Sequence, residues 1–254
     1  TRVRSSAASD VYKRQAVLRG SETGSSFRQA IFFQELGLNI HDTMIYEKNG
    51  SSFPARRTGI RYSQVFEYMF VLSKGKPKTA NLICDKPNKW SGYTSFGTST
   101  NRNKDGQLVK AKNRKPTPNF SPRHNVWKYN TGKKYTTGDN FAYNHPAMFP
   151  EALAEDHIMT WTNEGDLVVD PFVGAGTTTK MAAINGRRWI GIDISEDYVE
   201  IARKRMQVAE EMIASGYKKS YEKEEKKESL TRKDVSAMSK KELIELVMKL
   251  KEKK

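Results

Sequence analysis

Two aspartates and two glycines stand closest to chemistry in this chain. Asp170 ends a short apolar run, Leu167-Val168-Val169, that reads as a buried parallel strand, and Pro171 after it has no N–H to give to a ladder. Gly174 and Gly176 follow and allow a tight turn in which backbone comes close to a ligand. Thr177, Thr178 and Thr179 open a helix running to about Asn185-Gly186, and Trp189 to Ile192 makes a second strand with Asp193 at its end. A carboxylate about 20 residues beyond such glycines is placed to bind ribose hydroxyls. A dinucleotide turn would carry a third glycine where Thr179 stands, and a phosphate loop would carry Gly-Lys-Ser/Thr, which is absent.

Other elements must hold this turn. Ser26-Phe27-Arg28-Gln29 reads as a capping box for a helix with Ala30, Ile31, Phe33 and Leu36, stopped by Gly37. Asp42–Tyr46 and Phe66–Leu72 read as strands around an Asn49-Gly50-Ser51-Ser52 loop. Pro150 fits the first turn of a helix carrying Leu153, His157 and Ile158, and Ser195 caps another with Glu196 and Asp197 in its first turn. Ser239-Lys240-Lys241-Glu242 starts a last short helix with Leu243, Ile244, Val247 and Leu250 on one face.

Between Lys74 and Lys134 the character changes. Fifteen Lys or Arg face only two acids, Asp85 and Asp105, and Trp90, Tyr93, Phe96, Phe120, Trp127, Tyr129 and Tyr135 are interleaved among them. Basic side chains neutralise phosphates, while aromatic and amide groups stack on or read bases. A solvated loop with a few tucked aromatics is the plainer alternative. A stretch this long without structure is unusual in a compact domain unless it is functional.

The turn Asp170-Pro171-Phe172-Val173-Gly174-Ala175-Gly176-Thr177-Thr178 resembles the S-adenosylmethionine motif of the amino-methylating DNA methyltransferases, which act on adenine N6 or cytosine N4. Residues 21–75, with strands beginning Asp42-Thr43 and Phe66-Glu67-Tyr68, resemble the same family, as does His145-Pro146-Ala147-Met148-Phe149-Pro150 just before the glycine motif. The resemblance implies an α/β fold: a Rossmann-like methyltransferase sheet with helices on both faces, permuted and incomplete, with an inserted DNA-recognition region. It implies cofactor contacts from Asp170, Pro171, Phe172, Gly174, Gly176, Thr177, Thr178, Asp193, Ile194, His145, Pro146 and Ala147, with Thr177 or Thr178 reaching the methionine carboxylate. Double-stranded DNA is the implied partner, met by Lys104, Lys110, Lys112, Arg114, Lys115, Arg123, Lys128, Lys133 and Lys134.

The domain expectation follows: a leader at 1–15, catalytic α/β residues at 16–73 and 141–215, a target-recognition insert at 74–140, and a charged helical tail at 216–254. The family's second motif, Asp/Asn/Ser-Pro-Pro-Tyr/Phe/Trp, grips a flipped base, and no Pro-Pro pair occurs in this sequence. The expectation is an N-terminally truncated, site-specific methyltransferase of the restriction–modification kind. No catalytic residue is assigned, and adenine N6 leads over cytosine N4. The alternatives are an inactive cofactor- or DNA-binding fragment and an RNA methyltransferase.

Composition agrees. Forty-four Lys and Arg against 29 Asp and Glu give a formal charge of +15, which favours a polyanionic partner. The single cysteine, Cys84, excludes an internal disulfide and suits a reducing cytoplasm. The four histidines lack metal-ligand spacing, and no run of eighteen apolar residues is present to span a membrane.

Overall fold

The computed structural model describes residues 17–18, 21–50, 62, 64–94, 100–110 and 115–217. The expected leader at 1–15 and the tail beyond Tyr217, with its second capping box, lie outside the described residues. Along the chain run β1 (Val17–Leu18), β2 (Ser21–Glu22), α1 (Ser25–Glu35), β3 (Asn39–Lys48), β4 (Phe66–Ser73), β5 (Lys86–Pro87), β6 (Thr100–Arg102), β7 (Leu108–Lys110), β8 (Phe120–Ser121) and β9 (Val126–Tyr129). A 3-10 turn (Asn140–Asn144) then leads to α2 (Glu151–Trp161), β10 (Leu167–Asp170), α3 (Thr177–Ile184), β11 (Arg188–Gly191) and α4 (Glu196–Ala214). The described residues divide into two compact units, one within 17–82 and 124–217, the other within 83–123.

In the first unit β4, β3 and β9 form one sheet in that order, and β10 and β11 a second. β3 alternates, so Met44 and Tyr46 turn inward and are buried. β4 pairs antiparallel to β3 with Tyr46 opposite Glu67, and β9 pairs parallel to it with Tyr46 opposite Trp127. Lys48 forms an ion pair with the buried Glu67, so that carboxylate is matched in charge. Trp127 is therefore part of this unit's core rather than a base-stacking residue, and β9 belongs to its sheet.

Helix α2 serves both sheets. His157 lays its ring against Trp127 at 4.7 Å and brings Nε2 to 3.2 Å from the Met69 sulfur of β4. Ala154 and Ile158 pack with Met181 and Ala182 of α3, and Phe149, Val168 and Ile184 close the cluster. Desolvation pushes His157 down from 6.5 to about 4, so it is neutral in this packing. Pro150 stands at the N-cap of α2, one place before the first turn.

The capping box at Ser26 does not form. α1 begins one residue earlier, at Ser25, behind a left-handed Gly24, and Ser26 is buried inside the helix with no capping hydrogen bond. The glycine makes the turn at no steric cost, so a hydroxyl cap is superfluous. Gly37 does end the helix in a left-handed conformation: its N–H donates to the Gln34 carbonyl, and that of Leu38 to the Phe33 carbonyl.

The second unit is built from short antiparallel ribbons, β5 with β8 and β6 with β7. Gly92 donates to the Thr117 carbonyl at 2.8 Å and Thr117 to the Tyr93 carbonyl at 2.9 Å, which ties its loops together. Its ends are drawn together where Arg123 donates to the Ile83 carbonyl and pairs with Asp85.

Candidate cofactor site and basic surface

β10 and β11 run parallel with Asp170 opposite Gly191, so both strands deliver their last residues to one edge. Asp170 accepts from the N–H of Phe172 at 3.0 Å through its side chain, which bends the chain away from the ladder. Ile192 donates to the Asp170 carbonyl at 2.9 Å, and Val173 to the Ile192 carbonyl at 2.8 Å. The turn is thus stitched to the continuation of β11.

Asp193 closes the arrangement. Its Oδ2 accepts from the Gly174 N–H at 2.9 Å and its Oδ1 from the Ser195 N–H at 3.0 Å. Each carboxylate oxygen keeps a further lone pair for an incoming hydroxyl donor. Ile194 next to it is 93% exposed, an apolar side chain with nothing packed over it, and Phe172 is half-buried across the turn. These groups suit a nucleoside: a carboxylate for ribose hydroxyls and apolar side chains for a base.

The two glycines meet different neighbours. A side chain at Gly174 would run into His145 Nε2 at 2.9 Å, so the imidazole lies directly over the turn. Its ring also packs edge-on against Tyr198 at 4.4 Å, and its Nδ1 accepts from the Ala147 N–H at 3.2 Å. Burial holds His145 below its usual 6.5, with the Asp193 charge opposing, so the ring is neutral near pH 7 and adds no repulsion toward a cationic ligand. Pro146 and Ala147 are exposed beside it.

Gly176 and Thr177, read from the sequence as ligand contacts, point into the protein. A side chain at Gly176 would strike Ala202 of α4 at 2.9 Å. Thr177 is buried, and its Oγ1 accepts from Arg205 at 2.9 Å. Thr178 is half-buried and faces a cavity of about 850 Å³ lined by β4, α2 and β10.

Beneath the turn lies a group of charges that sequence reasoning missed. Asp139 accepts from Lys180 at 2.6 Å and Arg205 at 2.8 Å, and Glu151 accepts from Lys180 at 2.9 Å and also pairs with Arg205. Lys180 and Arg205 are buried. Their hydrogen bonds and charges outweigh desolvation and hold Asp139 below its usual 3.8. A signal was available: Arg205 sits on the apolar stripe of α4 with Ala202 and Ala209, and Lys180 lies between Thr179 and Met181 on the buried side of α3.

The basic residues separate into classes. Lys104 and Lys115 are exposed in the second unit, Lys110 ends β7, and Lys112 and Arg114 lie outside the described residues. Lys89 stands over the exposed Trp90 at 5.5 Å, and Trp90 meets Tyr93 edge-on at 5.4 Å. Arg123 is engaged with Asp85 and Lys128 with Glu47 at 2.7 Å. Lys128, Lys133 and Lys134 belong to the first unit, the last two exposed on its surface. Among the described residues no His/Cys/Asp/Glu group has a metal-binding arrangement, and no helix is long and apolar enough to cross a membrane.

Known proteins resemble this chain. An orphan methyltransferase of Bacillus amyloliquefaciens, M.BamHII, is 53% identical over 188 residues, covering 74% of this chain and 70% of the relative. The type II methyltransferase M2.DpnII of Streptococcus pneumoniae is 45% identical over 86 residues, 34% of this chain and 31% of the relative. Among solved structures, the cytosine-N4-specific PvuII DNA methyltransferase superposes with a TM-score of 0.51 at 20% identity, over 75% of this chain and 60% of that one, a likeness of fold. The family model described as DNA methylase matches residues 6–204. A glycine turn closed by a terminal aspartate, in a chain matched over most of its length, places this protein in the DNA methylase family.

Proposed function

We propose that the chain holds S-adenosylmethionine at the Asp170–Asp193 edge and duplex DNA on its basic insert, as part of an enzyme that methylates an exocyclic base amine, adenine N6 or cytosine N4. The observation that carries this reading is the Asp193 carboxylate, locked by two backbone N–H groups at the end of a parallel strand pair and flanked by the exposed Ile194. When bound, the cofactor supplies a methyl group made electrophilic by its positive sulfonium. Asp193 holds ribose hydroxyls, Ile194 and Phe172 cover the base, and the neutral His145 with Pro146 and Ala147 borders the pocket.

The target amine is a poor nucleophile, so the enzyme's contribution is to position it. The tetrapeptide that does this in the resembled enzymes needs a Pro-Pro pair, and the chain has none. The reading therefore assigns cofactor and nucleic-acid binding to the residues named above. The basic insert favours a nucleic acid over a small-molecule substrate.

Calorimetry with S-adenosylmethionine tests the cofactor half. Asp193→Ala weakens affinity by about 1–3 kcal/mol, the effect of leaving hydrogen-bonding partners unmatched; unchanged affinity in a folded variant removes the ribose role. Transfer of tritiated methyl to duplex DNA and to RNA tests the rest. Turnover on DNA by this chain alone would show that another residue holds the amine, and preference for RNA would select the alternative substrate.

A further inference from the structure

Arg205 reaches five things at once from the middle of α4, and only two of them are charges. Its Nη1 donates to the Ala175 carbonyl at 3.0 Å and to Thr177 Oγ1 at 2.9 Å, one residue on either side of Gly176. Its Nε donates to Asp139 at 2.8 Å, and its Nη2 pairs with Glu151 and donates to Thr137 Oγ1 at 3.4 Å. Asp139 is the residue from which the Asn140–Asn144 turn starts, and His145 follows directly after that turn. One fully buried guanidinium therefore grips the glycine turn with one arm and the segment that carries His145 with the other.

Electrostatics make this grip rigid. Two cations meet two carboxylates, so the cluster is neutral as a whole and each charge is matched, as buried charges must be. Arg205 differs from Lys180 within the cluster. The Lys180 ammonium hydrogen-bonds only to the two carboxylates, whereas the Arg205 guanidinium also holds atoms of the turn. The planar fork of a guanidinium can satisfy several acceptors in fixed directions, which an ammonium cannot do.

We propose that Arg205 is a positioning residue for the cofactor turn: it fixes the Ala175–Thr177 backbone against the Asp139–His145 segment and so sets the gap between Gly174 and His145. The inference rests on the cofactor reading above. It adds a residue that touches no ligand and acts through the carbonyl and hydroxyl it holds.

The test compares Arg205→Lys with Lys180→Met in two measurements, S-adenosylmethionine affinity by calorimetry and backbone hydrogen exchange over residues 172–178. Arg205→Lys keeps the charge balance but loses the fork. It should fold, weaken affinity roughly tenfold or more, and speed exchange across the turn. Lys180→Met unbalances the cluster without touching the turn. It should lower the melting temperature, leaving exchange at 172–178 and affinity within about twofold. Equal effects from the two variants would reduce Arg205 to a part of a stabilising cluster, and wild-type exchange and affinity in a folded Arg205→Lys would overturn the proposal outright. If the unmodified chain binds no S-adenosylmethionine, the cofactor reading fails, and the exchange comparison alone still decides the role of Arg205. Should either variant fail to fold, Asp139→Asn, which keeps shape and weakens one arm of the grip, supplies the same two readouts: faster exchange and weaker binding support the proposal, and the absence of both overturns it.

Discussion

Gly174 and Gly176 lie two residues apart, yet a methyl group added to each meets different matter. At Gly176 it meets the Cα and Cβ of Ala202, which are fixed by α4; at Gly174 it meets the edge of the His145 ring. Both backbones are left-handed, with φ of +78° and +48°, so alanine is strained at either place. Gly176→Ala therefore lowers stability by roughly 2–4 kcal/mol, strain plus overpacking against a helix. Gly174→Ala loses about 1–2 kcal/mol and should weaken cofactor binding disproportionately, because the ring it displaces borders the proposed pocket. Urea unfolding beside calorimetry separates the two; equal stability losses would mean that α4 gives way as easily as a histidine side chain. Asp170, the glycines and Asp193 were legible in the sequence because each answers a local demand, a strand end, a tight turn or a carboxylate just past a strand. Arg205 and Asp139 were not, because their partners lie 66 residues apart and only the packing of α4 on the turn joins them.

Helix α2 shows the same limit one level up. Its apolar spacing announced a helix, but not that it packs on two separate sheets through His157 on one side and Ile158 on the other. That placement has a pH consequence. His157 titrates near 4 when folded and near 6.5 when unfolded, so protons favour the unfolded chain between those values. Stability is full above 6.5, falls as the pH drops through that window, and by pH 5 is lower by about 2 kcal/mol from this residue. The lowered His145 acts in the same direction, whereas Asp139, held below 3.8, adds little slope above about pH 5, where it is ionised in both states, and loses its stabilising effect only at lower pH. Denaturant midpoints at pH 7.5 and pH 5 should show His157→Leu with a clearly shallower dependence than the parent; parallel slopes would place the proton elsewhere. The strands at 42–46, 66–72, 167–169 and 189–192 were equally readable, whereas the short ribbons β5–β8 were not, and neither was sheet membership: β4 and β10 each stand at a sheet edge and line the same apolar cavity, which no periodicity reveals.

Taken whole, the molecule separates a neutral, buried electrostatic system from a basic, exposed one. The expected DNA surface reduces to the cations left uncommitted by the fold. Replacing Lys104 and Lys115, exposed in the second unit, lowers the slope of DNA affinity against salt by about one unit for each phosphate no longer neutralised. Arg123→Gln leaves that slope near its starting value and loosens the second unit instead, since Asp85 already takes up the guanidinium. Filter binding from 50 to 300 mM salt, on the order of the range where counterion release dominates, distinguishes these outcomes; a slope that falls with Arg123 and persists without the two lysines would invert the assignment. The charge-balanced group under the glycine turn, shut away from mobile ions, has a practical corollary. On the proposed reading, salt concentrated enough to shorten the Debye length severalfold should strip the polyanion and leave the proposed nucleoside pocket untouched. Washing the protein on an immobilised cofactor analogue with concentrated salt is thus a route to material free of co-purifying nucleic acid, with the pocket still loaded.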